Sequence, residues 1–441
     1  MSGSTGPGAT AGGVVYGIDF GTWTSALVVL RQGQPPLPVR DPVSAHGATS
    51  VRSAVCILPD GSMVVGQAAQ NSRLRHPERF RAEFKREFGE PFPHRLGERR
   101  FSSEELTARV LGFLVEQARR AVGAEPERVG ITVPATWERA RRGLMLDAAE
   151  AAGLRPETVE VHTEPVAAAV YALHDHGMDR ERTILVYDLG GGTFDLAIAR
   201  GTGDGFTVLG SPGGLPHVGG LAIDQAVLGL IRDRCPAAAL DSLRSSGGGA
   251  DDSDSDGDSG SRADDRAAEV LRRRTQLAEA CTAFKQQLSV SSEHTDLLTM
   301  LDPPVEVTLT QDELREAVRP LLSDTVAECE RVLKAHGLGW ADLDLIVPVG
   351  GSSRLPMVGE LLAARSGRPV MDVSEPELAV ATGAAWLARG AVPARVAAPP
   401  ALSDAPPEPR PVRTFPVGVR ALLDAGLTDR MVLEAVRRAR T

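Results

Sequence analysis

Lysine is nearly absent from this chain. Of 48 basic residues among 441, only Lys85, Lys285 and Lys334 are lysines, and the rest are arginines. Codon bias accounts for the trend as a whole, so a lysine that persists against it is a better candidate for a specific role. Cysteine is scarce too: Cys56, Cys235, Cys281 and Cys329 lie far apart, without Cys-x-x-Cys or metal-ligand spacing. That argues against a metal module or a disulfide framework and for buried, reduced thiols. No apolar run is long enough to span a membrane, and Met1-Ser-Gly-Ser-Thr-Gly-Pro-Gly8 lacks the basic start and apolar core of a secretion signal. A cytoplasmic protein is expected. The formal net charge of −10 offers no positive excess for nucleic acid or an anionic membrane surface.

What is present is a repeated hairpin. Ile184-Leu-Val-Tyr-Asp188-Leu-Gly190-Gly191-Gly192-Thr193-Phe194-Asp195 reads as a buried strand that ends in an aspartate, turns at three glycines and resumes as a second strand through Ala199. Without Cβ atoms in the way, the N–H groups of such a turn can press against phosphate oxygens, and the aspartate before it could hold magnesium directly or through water. A P-loop or a dinucleotide fold would need a helix after the glycines, and no Gly-Lys-Ser/Thr follows. Val14-Val-Tyr-Gly-Ile-Asp19-Phe-Gly21-Thr22-Trp23-Thr24-Ser25 repeats the device, and Leu345–Val349 ends in a third turn, Gly350-Gly351-Ser352-Ser353-Arg354. Two such hairpins far apart predict a duplicated lobe with a ligand cleft, and a nucleotide is the favoured ligand.

These segments resemble the nucleotide-binding domain of DnaK-type chaperones, the heat shock protein 70 family. The matching residues are Gly17–Thr22, Ile131-Thr-Val-Pro134-Ala135, Glu164-Pro165 through Tyr171, Asp188–Asp195, His217-Val-Gly219-Gly220, Gly350–Pro356, and Pro376-Glu377 with Ala379–Gly383. They keep the family's order from about residue 14 to about residue 390. The resemblance implies an α/β, actin-like ATPase (ribonuclease H-like) fold, with two lobes of duplicated mixed sheets flanking a nucleotide cleft. It implies ATP or ADP with Mg2+, held near Asp19 and Asp188. Asp19, Glu164, Asp188 and Thr193 would serve the reaction. Gly21, Thr22, Trp23, Gly190, Gly191, Gly192, Asp195, Gly219 and Gly220 would surround the phosphates. Lys285, Ser289 and Arg354 would contact the adenosine, Gly350 and Gly351 would let the backbone approach phosphates and adenosine, and Ser352 and Glu377 would also lie by the nucleotide.

Departures from the family are equally informative. Its catalytic lysine follows Gly-x-x-Ala, where this chain has Gly66-Gln-Ala-Ala-Gln70. Loss of one preorganised cation costs about 10²–10³ in rate, so weakened hydrolysis is expected. Lys85 matches a different family lysine and is not expected to substitute. Trp23, Thr24, Thr282, Gln286 and Glu377 replace residues usual at nucleotide-proximal positions. Residues 392–441 show neither the family's linker pattern nor room for its β-sandwich, so a monomeric nucleotide switch acting on a protein partner or co-chaperone is expected. A small-substrate kinase or a filament-forming actin relative is the rival within the superfamily.

Residues 1–13 read as a disordered arm, 14–205 as the first lobe with an inserted subdomain at 51–127, and 206–391 as the second lobe with a closing helix. Within it, 245–265 is acidic and lacks the apolar residues needed to fold. Its Asp-x-Asp-x-Asp-Gly run has no closing glutamate, which argues against a calcium loop. Residues 392–416 form a proline-rich linker and 417–441 a short helical tail, helical from Thr428 to Arg440. Ser102-Ser-Glu-Glu105 predicts a capped helix to about Val122, and Thr310-Gln-Asp-Glu313 another to about His336.

Overall fold

Along the strand Val15–Phe20 side chains alternate between two faces. Tyr16, Ile18 and Phe20 join one apolar cluster that includes Leu106, Leu111 and Leu114 of the helix Ser103–Val122. Val15 joins a second cluster on the opposite side, the side on which Gly17 and Asp19 also fall. The strand Arg182–Leu189 repeats this pattern: Ile184 and Val186 enter the same second cluster and Asp188 follows them in phase. Two aspartates are thus delivered by strands that share one core.

The computed structural model describes residues 13–44, 47–176, 181–202, 205–244, 259–373, 375–390 and 394–396. Val15–Phe20 runs antiparallel to Thr24–Leu30 and parallel to Arg128–Val133. Val159–Thr163 lies beyond the latter, and Leu37–Pro38 and Val51–Arg52 flank Thr24–Leu30 in the same six-stranded sheet. Arg182–Leu189 runs antiparallel to Phe194–Thr202 and parallel to Leu345–Val349, in a five-stranded sheet completed by Gly205–Leu215 and Ala394–Val396. A hairpin with a parallel neighbour on its first strand therefore occurs twice, as the repeated motif anticipated.

Helices Glu164–His176 and Pro376–Arg389 contribute Ala167–Val170 and Ala379–Ala381 to the core shared by the two sheets. Their fit depends on small residues. A Cβ on Gly383 would lie 1.8 Å from the Ala167 carbonyl oxygen, and one on Gly17 would lie 2.0 Å from that of Ala381. Glycine at both positions lets helix pack directly on helix and on strand.

The described residues divide into two compact units, one within 13–222 and 320–396, the other within 223–319. Both large sheets and all three glycine turns belong to the first. So do the strands Ala54–Ile57, Met63–Val65 and Phe80–Ala82, which form a small sheet of their own. In the second unit the hairpin Glu293–Leu298/Val305–Thr310 follows the long helix Ser259–Gln287, and the Phe284 ring packs edge-on to His294 at 4.9 Å.

Both expected caps form. Ser102 Oγ accepts from the Glu105 N–H and Glu105 accepts in return from the Ser102 N–H; Thr310 and Glu313 make the same exchange. One boundary differs. The helix begins at Ser259, inside the stretch expected to be unfolded through Asp265, because Ala263, Ala267 and Ala268 restore helix-forming character once the glycine run has passed. The arm at 1–12, the rest of the acidic insertion, nearly all of the proline-rich linker and the tail lie outside the described residues. Among the described residues no helix is long and apolar enough to cross a membrane.

Candidate active site

The parallel register sets Asp19 opposite Thr132, and the Thr132 hydroxyl donates to Asp19 Oδ1 at 2.8 Å. In the second sheet Asp188 pairs with Asp195 across the hairpin and with Val349 across the parallel strand. The chain then turns at Gly350, whose φ of 81° is in the left-handed region and where a Cβ would lie 2.7 Å from Asp188 Oδ1. Asp195 accepts from the Ala135 N–H at 3.3 Å, just after the Pro134 that ends Arg128–Val133, and from the side chain of Thr193. Glu164 opens its helix directly after Val159–Thr163.

Into this group comes Lys85, from the short turn Phe84–Glu87. Its Nζ lies 2.7 Å from Glu164 Oε1, with Lys85 7% and Glu164 6% exposed. The ammonium also sits 5.6 Å and 5.8 Å from the ring centres of Phe20 and Trp137. Burial alone would lower the pKa of this amine, but Glu164, Asp19 and Asp195 together outweigh it and hold it charged. Lys85, which the sequence reading left outside the site, is thus paired with Glu164, one of the residues expected there. The signal in the sequence was its survival in a chain with three lysines, flanked by Phe84 and Phe88.

Four carboxylates face one ammonium. Burial first, and then the charge of Glu164, push Asp195 up to about 7. Asp19 remains partly exposed, yet burial is still the largest cause of its rise to about 6, followed by Glu164. Asp188 lies well above the usual carboxylate range, from burial and then from Glu164, Asp195 and Asp19. Such uncompensated negative charge is what a bound divalent cation relieves.

The turns close around the same place. A Cβ on Gly192 would stand 3.0 Å from Thr22 Oγ1, one on Gly191 would stand 2.9 Å from the Trp23 Cβ, and one on Gly219 would meet the Gly192 and Thr193 backbone at 2.8–2.9 Å. Gly220 N–H donates to the Gly190 carbonyl at 2.9 Å, Leu221 N–H to that of Gly191 at 2.8 Å, and the Ser352 hydroxyl to Gly190 at 3.0 Å. Glycine at 191, 192 and 219 is what lets the neighbouring turns come this near. Arg52 covers the Trp23 ring, its guanidinium carbon 3.5 Å from the ring centre.

Residues 93–242 and 261–409 match the family model described as Hsp70 protein. The chain belongs to the Hsp70 family. The match spans Glu164, Asp188–Asp195 and the third turn, whereas the Asp19 hairpin, Gln70 and Lys85 precede it. The actin-like ATPase fold goes with membership, and the duplicated sheets are its framework. Hsp70-family ATPases bind ATP or ADP with magnesium, and the residues here fit that pair. At Gly191, Gly192, Gly219 and Gly350 the turns leave no room for a Cβ, and Asp19 and Asp188 are the candidates to hold the ion. Among the described residues no three His, Cys, Asp or Glu side chains form a ready metal cage; magnesium commonly takes one or two carboxylates and completes its shell with water and phosphate. Once bound, the ion neutralises phosphate charge.

The residues expected on the adenosine side fall in both units. In the first, Arg354 Nη2 pairs with Glu377 Oε2 at 2.6 Å. In the second, Lys285 Nζ pairs with Asp224 Oδ1 at 2.7 Å, Thr282 donates to Asp224 Oδ2 at 3.2 Å, and the Ser289 hydroxyl donates to the Gln286 carbonyl at 2.6 Å.

Proposed function

We propose that this chain is an ATP-binding, chaperone-type nucleotide switch that hydrolyses its nucleotide and passes its state to a protein partner in the cytoplasm, acting as a monomer. The observation that carries the reading is the joint placement of Asp19 and Asp188, on strands of two like sheets, beside three glycine turns. In this reading the turns bind the phosphates through backbone N–H groups, the two aspartates hold hydrated magnesium, and Glu164 and Asp195 orient the attacking water. Thr132 and Thr193 fix the carboxylates by hydrogen bonds.

Weakened hydrolysis was expected because Gln70 carries no charge. Lys85 brings an ammonium to the carboxylate group, so that deficit of about 10²–10³ becomes the rate loss expected when Lys85 is removed. Calorimetry with ADP and magnesium tests the binding step. Saturable binding that Asp188→Asn weakens at least tenfold supports the reading, and absence of binding at millimolar nucleotide ends it.

A further inference from the structure

Resting on the ATPase reading, we infer that Lys85 is the cation of the phosphoryl-transfer site and that its arrival from the Phe84–Glu87 turn is what allows glutamine at position 70. Three observations carry this beyond a buried ion pair. First, the ammonium is almost fully enclosed, 2.7 Å from Glu164 Oε1 and against the rings of Phe20, the neighbour of Asp19, and Trp137, two residues beyond the Ala135 N–H that holds Asp195. Second, its surroundings are built to hold it in place. Phe84 and Phe88 on either side are fully buried, Phe88 stacks on Trp137 at 4.7 Å, and Phe20 lies under the amine. Third, the Gln67–Ser72 helix that carries Gln70 has no basic residue, so the chain supplies this cation from a different element of the inserted subdomain.

The chemistry requires such a group. In hydrolysis the oxygen of water bonds to the terminal phosphorus while the bond to the bridging oxygen breaks. ADP leaves with that electron pair, inorganic phosphate forms and the water's proton is released to solvent. Negative charge grows on the bridging oxygen, and a preorganised ammonium in a dry site stabilises it without reorganisation. Four carboxylates without a cation would repel the incoming triphosphate. An ammonium acting on the transferred group must also discriminate nucleotides that carry a terminal phosphate from those that do not.

The test uses the full chain and five proteins: wild type, Lys85→Met, Lys85→Arg, Gln70→Lys, and the double variant Lys85→Met/Gln70→Lys. Single-turnover hydrolysis is measured beside calorimetric affinities for ADP and for an ATP analogue with a non-hydrolysable β,γ-imido bridge. Lys85→Met is expected to lose about 10²–10³ in rate, to keep its ADP affinity within about threefold, and to bind the analogue at least tenfold more weakly relative to ADP. The double variant recovers at least tenfold of the lost rate, because it restores lysine at the position where the resemblance places the family's catalytic one, and Gln70→Lys alone changes little. Lys85→Arg preserves the charge, folds even if the methionine variant does not, and loses rate through its wider head group while keeping the analogue-to-ADP ratio near wild type. Unchanged hydrolysis in Lys85→Met, a parallel fall in both affinities, or a large gain from Gln70→Lys alone overturns the assignment. Absence of nucleotide binding in the wild-type protein refutes the ATPase reading itself, a distinct outcome.

Discussion

Thr132 holds Asp19 across the parallel strand pair by a 2.8 Å hydrogen bond, from a position fully buried in the sheet. The bond occupies one carboxylate oxygen and leaves the other for a metal-bound water or the metal itself. Outer partners of this kind typically set metal affinity by about 10–100-fold. Thr132→Val keeps the shape and removes the donor, so the apparent magnesium affinity in the presence of ADP should fall about tenfold. Fold stability should change by only about 1 kcal/mol. Magnesium titration followed by calorimetry, with urea unfolding alongside, separates the two effects.

Stability without nucleotide should fall as pH rises. Asp19 and Asp195 titrate at about 6 and about 7 in the folded chain, against about 4 when unfolded. Between these values the folded state holds protons that the unfolded state has released, so unfolding becomes progressively easier from about pH 4 to about pH 7. The protein free of metal and nucleotide should therefore melt lower at pH 8 than at pH 5.5. Asp195→Asn should flatten that decline, and saturating magnesium with ADP should oppose it by neutralising the cluster. Differential scanning calorimetry across this range reads all three; a melting temperature that climbs steadily to pH 8 contradicts the charge assignment.

Much of this arrangement was legible in the sequence because it rests on local signals. An apolar strand ending in an aspartate was visible at both Asp19 and Asp188, and glycine chemistry marked the turns. Ser102 with Glu105, and Thr310 with Glu313, marked helix starts through side-chain capping alone. The Lys85–Glu164 pair was not legible because the two residues lie far apart along the chain, and no local pattern encodes their pairing. Thr132 and the Ala135 N–H were missed for the same reason: each acts across strands or between elements, through registers that only the folded sheet defines. The start of the helix at Ser259 escaped notice because acidic composition was allowed to outweigh the alanines that follow.

The helix crossing offers a stability test separate from chemistry. Gly383 touches the Ala167 carbonyl so closely that one added methyl group would sit 1.8 Å from it, whereas a Cβ on Gly359 meets nothing within 4 Å. Gly383→Ala should destabilise by about 1–3 kcal/mol or more through overpacking. Gly359→Ala, in the helix Pro356–Ser366, should be neutral or stabilise by up to about 1 kcal/mol through helix propensity. Urea midpoints for the pair check this, and equal midpoints would contradict the close packing.

Trp23 gives the phosphate turns an intrinsic optical probe. Of the four tryptophans, Trp137 stacks on Phe88, Trp386 on His174 and Tyr171, and Trp340 donates to Glu330. Trp23 is the one set against Gly191, with Arg52 over its ring. Phosphate entering between these turns changes the field and the solvent around that indole, so ADP with magnesium should shift the emission of the wild-type protein. Trp23→Phe should remove most of the shift while leaving binding measurable by calorimetry. Arg52→Ala should raise the solvent exposure of Trp23 and redden its emission before any nucleotide is added. Because an exposed cation–π contact is worth only about 0.5–1 kcal/mol, the same change should weaken ADP binding by no more than about fivefold. A nucleotide signal that persists in Trp23→Phe but vanishes in Trp340→Phe would move the nucleotide site away from these turns.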